Sequence, residues 1–392
     1  MYPSLILKSG REKPVLNFHP WVFSGGVKLF PKSKNGSIIQ ICDNKEEVVG
    51  FGFYSPNSQL VARVFHFGSK AEKFDELTFW LDKFNRAFDL RKLYVIDANT
   101  NAYRLIFAEG DSIPGLVVDI YDQTAVVQVL IKGTENLLPI FKTCLNTLGI
   151  NNIYVRIKTA THELEDVDQS SYWLDGASKS PLHIMENGIK FEVDVEKGQK
   201  TGFFIDQRDN RLLLKTLSEG KNVLNTFSYT GGFSMYALAG GAKKVVSVDI
   251  SKDAVKRCDE HIQLNKLKAE KHTSIASDVF DYLKTTDEKF DIIILDPPAF
   301  AKNAKSVPNA TRGYKELNML GIKKVKHGGL IMTYSCSQNI DAVLFQKIVF
   351  GAAADTKRNV RIIKHLHQPV DHPINIFHPE GDYLKGLLLY VE

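Results

Sequence analysis

The 392-residue chain has no run of 18 or more apolar residues, so no membrane-spanning helix is expected. The apolar stretch near Met1 is too short for a secretory signal, and a cytoplasmic protein is expected. Its four cysteines are scattered at positions 42, 144, 258 and 336. None has the spacing of a metal clip or a redox pair, so neither a zinc centre nor a disulfide frame is supported. There is no G-x-G-x-x-G fingerprint and no Walker phosphate loop, so the usual sequence grounds for a dinucleotide or a nucleoside triphosphate are missing. Internal repeats and low-complexity segments are also lacking. A strong charge of one sign is absent too: 50 Lys and Arg stand against 45 Asp and Glu, a net of +5.

The 44% hydrophobic and 24% charged fractions are those of an ordinary globular protein, and the length suggests two or three domains. Residues 1–75 hold 10 Lys and Arg against 6 Asp and Glu, so nearly all of the net charge sits there. A small basic module ahead of a near-neutral body is compatible with a polyanionic partner, and equally with an ordinary solvated surface. Within that module 37–42, 48–53 and 59–65 read as short strands, which suggests a small barrel.

Helical spacing follows over 72–94, with Phe74, Leu77, Leu81, Phe84 and Phe88 on one side. Residues 115–121 and 124–131 flank the turn Asp122-Gln123 as a hairpin. A helix is expected over 136–148, a strand over 153–157, and loops over 161–180. From about 190 strands and helices alternate. Strands are expected at 223–227, 245–249, 273–276, 290–295 and 330–334, helices at 232–238, 252–265, 279–285, 314–324 and 341–354, and a last strand at 383–391. That alternation is the pattern of an α/β doubly wound sheet. The expected division is 1–72, 73–185 and 186–392, with the central part α+β.

The first alternating strand runs into Asn225-Thr-Phe-Ser-Tyr-Thr-Gly-Gly-Phe233. Glycines at such a turn let a ligand approach the backbone. Asp249 ends the next strand, where an acid commonly takes ribose hydroxyls. Asp278 ends the third and is a candidate for the adenine amino group. Without a pyrophosphate motif, a nucleoside such as S-adenosyl-L-methionine fits best.

Two further strand ends carry Asp296-Pro297-Pro298-Ala299-Phe300 and Ser335-Cys336-Ser337. The prolines stiffen the turn, so Asp296 can be aimed at an amino group on a base and Phe300 can stack on it. That half alone suits methylation of an exocyclic amine. Cys336 adds another chemistry, because a thiolate adding to carbon-6 of a cytosine makes carbon-5 reactive. Cys258, in phase with Val255 and Ile262, reads as core packing, as do Cys42 and Cys144.

Taken together, Gly10-Arg-Glu-Lys13, His19-Pro-Trp-Val-Phe-Ser-Gly25, 200–211, 225–233, 296–300, Arg312-Gly-Tyr314 and 335–337 resemble the ribosomal RNA large subunit methyltransferase I family over nearly the whole chain. That resemblance implies an N-terminal PUA domain, a central α/β domain and a C-terminal class I (Rossmann-like) methyltransferase fold. It implies 5-methylcytosine formation in 23S ribosomal RNA, with Cys336 as nucleophile. It places Asn225, Ser228, Gly231, Asp249, Asp278 and Asp296 on the cofactor side, and Phe203, Gln207 and Arg208 in a segment closing over the cofactor. Pro297, Pro298, Phe300, Arg312 and Tyr314 become candidate substrate contacts. The stretch 156–180 departs from the family pattern, and Asn225 stands where many methyltransferases carry an acid. The alternatives are a guanine-nitrogen methyltransferase, which needs no cysteine, and a non-catalytic RNA-binding assembly factor. His365, His367, His372 and His378 cluster in sequence without ligand spacing, so solvated or RNA-facing histidines are expected there and no metal. Oligomeric state stays open, a homo-oligomer included.

Overall fold

The computed structural model describes residues 2–157, 165–168, 170–178, 180–301 and 303–392. The chain forms two compact units: Met1–Glu186 with Glu192–Ile205 and Val370–Gly381, and Asn187–Phe191 with Asp206–Pro369 and Asp382–Glu392. The reading by strand-helix alternation runs 186–392 as one region; the units instead group 192–205 and 370–381 with the first.

The first unit opens with β1 (Ser4–Leu7), β2 (Trp21–Phe23), β3 (Val27–Leu29), β4 (Ile38–Cys42), β5 (Val48–Tyr54) and β6 (Leu60–Phe67), in the order β2-β6-β5-β4-β1-β3. Strand alternation gives this sheet two apolar faces. Leu5, Leu7, Ile39, Ile41, Val61 and Val64 pack with Val15 and Val22 into its own core. Phe51, Phe53 and Phe65 instead join Phe74, Trp80, Phe84 and Phe141 in a second core. Phe53 stacks on Trp80 at 5.8 Å between centroids.

That second core belongs to β7 (Ala102–Phe107), β8 (Leu116–Tyr121), β9 (Thr124–Val129), β10 (Asn152–Arg156) and β11 (Tyr172–Asp175). The β8–β9 hairpin turns at Asp122, where φ is +57°, as the sequence suggests. The helix Leu77–Tyr94 buries Trp80, Phe84, Ala87 and Arg91. Its buried stripe is therefore displaced from the one read off the apolar residues, because it ends on a charged side chain. Arg91 is fully buried and forks onto Asp111 at 2.5 and 2.7 Å. It also donates to the carbonyl of Asp371 at 2.8 Å, while Asp371 Oδ2 accepts the Arg104 amide at 2.9 Å. These buried charges hold 370–381 in the first unit. Expected loops at 161–180 are interrupted by β11; positions 161–164, 169 and 179 lie outside the described residues. A two-stranded ribbon, β12 (Leu182–Glu186) and β13 (Ile189–Val193), follows.

The second unit is built on β14 (Asn222–Thr226), β15 (Lys244–Asp249), β16 (His272–Ala276), β17 (Phe290–Leu295), β18 (Val325–Ser335), β19 (Val360–Leu366) and β20 (Lys385–Val391), in the order β16-β15-β14-β17-β18-β20-β19. Strands β14 to β18 are parallel, and β20 is antiparallel to both neighbours. Buried on both faces, β14 and β17 are continuous apolar runs, as parallel strands must be. The helices pack in two groups: Arg208–Leu217, Gly232–Ala239 and Lys252–Leu264, and Val279–Thr285, Val307–Lys324 and Ala342–Thr356. These are the two covers of a doubly wound sheet. The chain leaves β14 toward one side and returns to its other side at β17. That reversal opens a crevice at the carboxyl ends of the strands.

Candidate active site

Five parallel strands end at one edge, so everything just after Thr226, Asp249, Ala276, Leu295 and Ser335 is gathered there. The turn after β14 is backbone-strained. Phe227, Tyr229 and Gly231 all have positive φ, at +53°, +46° and +83°. For the two non-glycine residues this costs about 1–3 kcal/mol each, and such conformations persist where the surroundings impose them. Here Asp249 does so. Its Oδ2 accepts the Tyr229 amide at 2.8 Å and its Oδ1 the Ser251 amide at 2.9 Å. Gly231 is required twice over. A Cβ there would sit 2.2 Å from Cys258 Sγ, and its φ is left-handed.

Ser228 Oγ is buried at this turn with no hydrogen-bond partner. A buried orphan hydroxyl beside alternating left-handed residues fits a polar ligand fragment. The residues present therefore fit S-adenosylmethionine. Asn225 is nearly fully buried, and its amide donates to Ser234 Oγ at 2.9 Å. Ser234 bonds Ser247 at 2.6 Å, and Ser247 bonds His272 Nε2 at 2.7 Å. Asn225 thus braces the turn from beneath. Asp278 caps Val279–Thr285 through Oδ1, which accepts the Phe280 and Asp281 amides.

At the next strand end Asp296 Oδ2 accepts Gln207 Nε2 at 3.0 Å, and Gln207 Oε1 accepts Asn210 Nδ2 at 2.6 Å. Gln207 therefore orients Asp296, and Asn210 orients Gln207. Arg208 is buried, with Nε 3.6 Å from Asp209 Oδ1. Phe203 lies in the first unit, where its amide donates to Tyr121 Oη at 3.2 Å.

Pro297 is buried and Pro298 exposed, and Phe300 is half-buried against Tyr314 at 4.6 Å. Ser335 and Ser337 are fully buried, whereas Cys336 between them is partly exposed. Ser337 is the hub. Its Oγ accepts the Ala301 amide at 3.2 Å and bonds Tyr314 Oη at 3.0 Å. The Asp296-Pro-Pro turn and the Cys336 turn are thus tied through one serine. Tyr314 is fully buried, and burial raises its phenol pKa. It braces Ser337 and Phe300. Arg312 is exposed on the same helix.

Sequence reasoning missed Ser337, Asn210 and Lys385. The available signals were the serines flanking Cys336 and a single lysine opening the apolar run Gly386–Val391. The four C-terminal histidines do not come together as a ligand set. His372 and His378 are buried in the first unit, a correction to the solvated reading, since Asp371 and the Trp21 ring cover them. His365 and His367 lie in the second. Among the described residues no group of three or more His, Cys, Asp or Glu side chains could hold a metal ion, and no helix is long and apolar enough to cross a membrane.

Residues 126–378 match the model of the S-adenosylmethionine-dependent methyltransferase family, and 5–67 that of the PUA-like domain. The chain is 40% identical over its whole length to the ribosomal RNA large subunit methyltransferase I of Alteromonas mediterranea, covering 99% of that protein. It is also 40% identical to that of Salmonella newport, over 98% of this chain and 96% of the relative. Among solved structures, it superposes on SMU.776 complexed with SAH at a TM-score of 0.86, with 26% identity, 99% of this chain and all of that one covered. A second structure, a SAM-dependent methyltransferase from Streptococcus mutans, gives 0.84 with 25% identity, over 99% of this chain and all of that one. The strand order, the strained turn beside Asp249 and these matches agree: the chain belongs to the ribosomal RNA large subunit methyltransferase I family of S-adenosylmethionine-dependent methyltransferases.

Proposed function

We propose that this enzyme methylates carbon-5 of a cytosine in 23S ribosomal RNA through a covalent adduct on Cys336. The observation that carries this reading is the partly exposed thiol between two buried serines, tied through Ser337 to the Asp296 turn. Bound S-adenosylmethionine supplies an electrophilic methyl group. The Cys336 thiolate adds to carbon-6, forming a C–S bond as the ring double bond opens toward carbon-5. Carbon-5 takes the methyl group as the methyl–sulfur bond of the donor breaks and its sulfur leaves as a thioether; carbon-5 then loses its proton to a base, and the thiolate leaves as the double bond re-forms. Asp296, held by Gln207, orients the cytosine amino edge, and Phe300 stacks on the ring.

In this reading 1–72 grips RNA phosphates with salt-sensitive affinity, 73–185 links, and 186–392 performs transfer. Asn225, Ser228, Gly231, Asp249 and Asp278 serve the cofactor side, together with Gln207 and Arg208. A target cytosine in a helix must be flipped out. Nucleoside mass spectrometry on 23S RNA from cells lacking the gene, re-incubated with the protein, is the test. 5-Methylcytosine is expected, and the Cys336→Ala protein should bind S-adenosylmethionine without transferring methyl. A methylated guanine, or full turnover by Cys336→Ala, overturns the reading.

A further inference from the structure

Lys385 is a lysine that the fold buries to 7% exposure. It opens β20 and pairs in register with Ser335 of β18. Its Nζ donates to the carbonyl of Ser337 at 2.8 Å and to that of Tyr383 at 2.7 Å. It is therefore bound to the residues immediately before and after Cys336: by strand pairing to Ser335 and by its side chain to Ser337. An ammonium carries three donors, and the two carbonyls use two of them. Among the described residues no carboxylate lies within ion-pair distance of it. A buried cation without an anion is costly. Burial lowers the Lys385 pKa, and the charge of Cys336 opposes that most, followed by Asp382 and Asp341. A further titratable group that interacts with Cys336 is Tyr314, from the helix Val307–Lys324, whose own pKa is raised by burial.

We infer that Lys385 is the positioning cation of the active site, its ammonium fixed beside Cys336 so that the thiol releases its proton to solvent and stands as the thiolate. This deepens the covalent reading above and rests on it for its catalytic meaning, but not for its test. An unperturbed thiol has a pKa of about 8.5 and is only a few per cent ionised at neutral pH. A fixed neighbouring cation is the remedy that needs no general base.

The test is the pH profile of Cys336 alkylation by iodoacetamide, read by peptide mass spectrometry on the full-length protein. In the wild type the profile should have its midpoint below about 8.5. Lys385→Met, which keeps the stem and removes the charge, should move it up by about one unit or more, a roughly tenfold slower reaction at pH 7. Lys385→Arg should restore much of the shift. S-adenosylmethionine affinity, measured alongside, should be unchanged in both variants. A wild-type midpoint at or above the unperturbed value overturns the inference even if Lys385→Met fails to fold. So does an unchanged midpoint in folded Lys385→Met. Because alkylation needs no RNA, this outcome is separable from failure of the covalent mechanism, which would show as turnover by Cys336→Ala.

Discussion

The second unit places two thiols near one crevice, and they differ in almost every respect that matters chemically. Cys258 has the neighbours a nucleophile is supposed to want. His272 Nε2 and Ser247 Oγ both lie 3.7 Å from its sulfur, and His272 Nδ1 lies 3.4 Å from Asp259. Yet it is sealed under Gly231, and desolvation pushes its thiol up to about 12. Cys336 is partly exposed, and the buried Lys385 side chain donates to the carbonyl of the next residue, Ser337. In the proposed mechanism, access and local charge, rather than a constellation of residue types, set Cys336 apart from Cys258.

Activity is the measurement on which the two thiols should diverge most. Cys336→Ala should abolish methyl transfer, while Cys258→Ala should keep it; comparable losses in both would erase the contrast. Labelling should come next. With a pKa of about 12, Cys258 is roughly one part in ten thousand thiolate at pH 8, so iodoacetamide should mark Cys336 and leave Cys258 untouched until the protein is unfolded. Prompt labelling of Cys258 would show that the seal is open.

Gly231→Ala forces a methyl against Cys258 and strains a left-handed φ. About 1–3 kcal/mol of strain should weaken S-adenosylmethionine binding on the order of tenfold. Adding Cys258→Ala should recover only the steric part, and a calorimetric titration reads both. Cys258→Ala alone should cost about 1–2 kcal/mol of stability in denaturant melts, as a small buried deletion does.

The smallest effect should be on pH. Burial lowers the His272 pKa below its ordinary value of 6.5, against the pull of Asp259. Its depressed value means that stability is complete above about 6.5 and declines as pH falls below it, because the unfolded imidazole takes up the proton first. His272→Asn should flatten that part of the thermal stability profile; an unchanged slope would remove His272 from the account.

Strands β14 to β18, the glycine turn, Asp249 and the motifs around Asp296 and Cys336 were all readable along the chain. Each is a local pattern, an apolar run punctuated by a turn, and parallel pairing then sends every run's end to one edge. β19 was not readable, because an exposed edge strand carries Arg361, Lys364 and His365 and shows no apolar run. Nor was the helix Arg208–Leu217, whose buried Arg208, Asn210 and Arg211 break the apolar stripe. The burial of Tyr314, Asn225 and His378 needed the folded chain as well, since a polar residue looks the same in sequence whether it is solvated or satisfied inside. Residue types and their spacing alone sufficed for the α/β sheet and for the glycine turn after its first strand. Tertiary structure alone decided which thiol is sealed, that Ser337 joins two turns 36 residues apart, and that Lys385, 49 positions beyond Cys336 in the chain, lies against its neighbours. The physical reason is that burial and electrostatic environment are properties of what packs around a side chain, and β20 reaches β18 only once the sheet has formed.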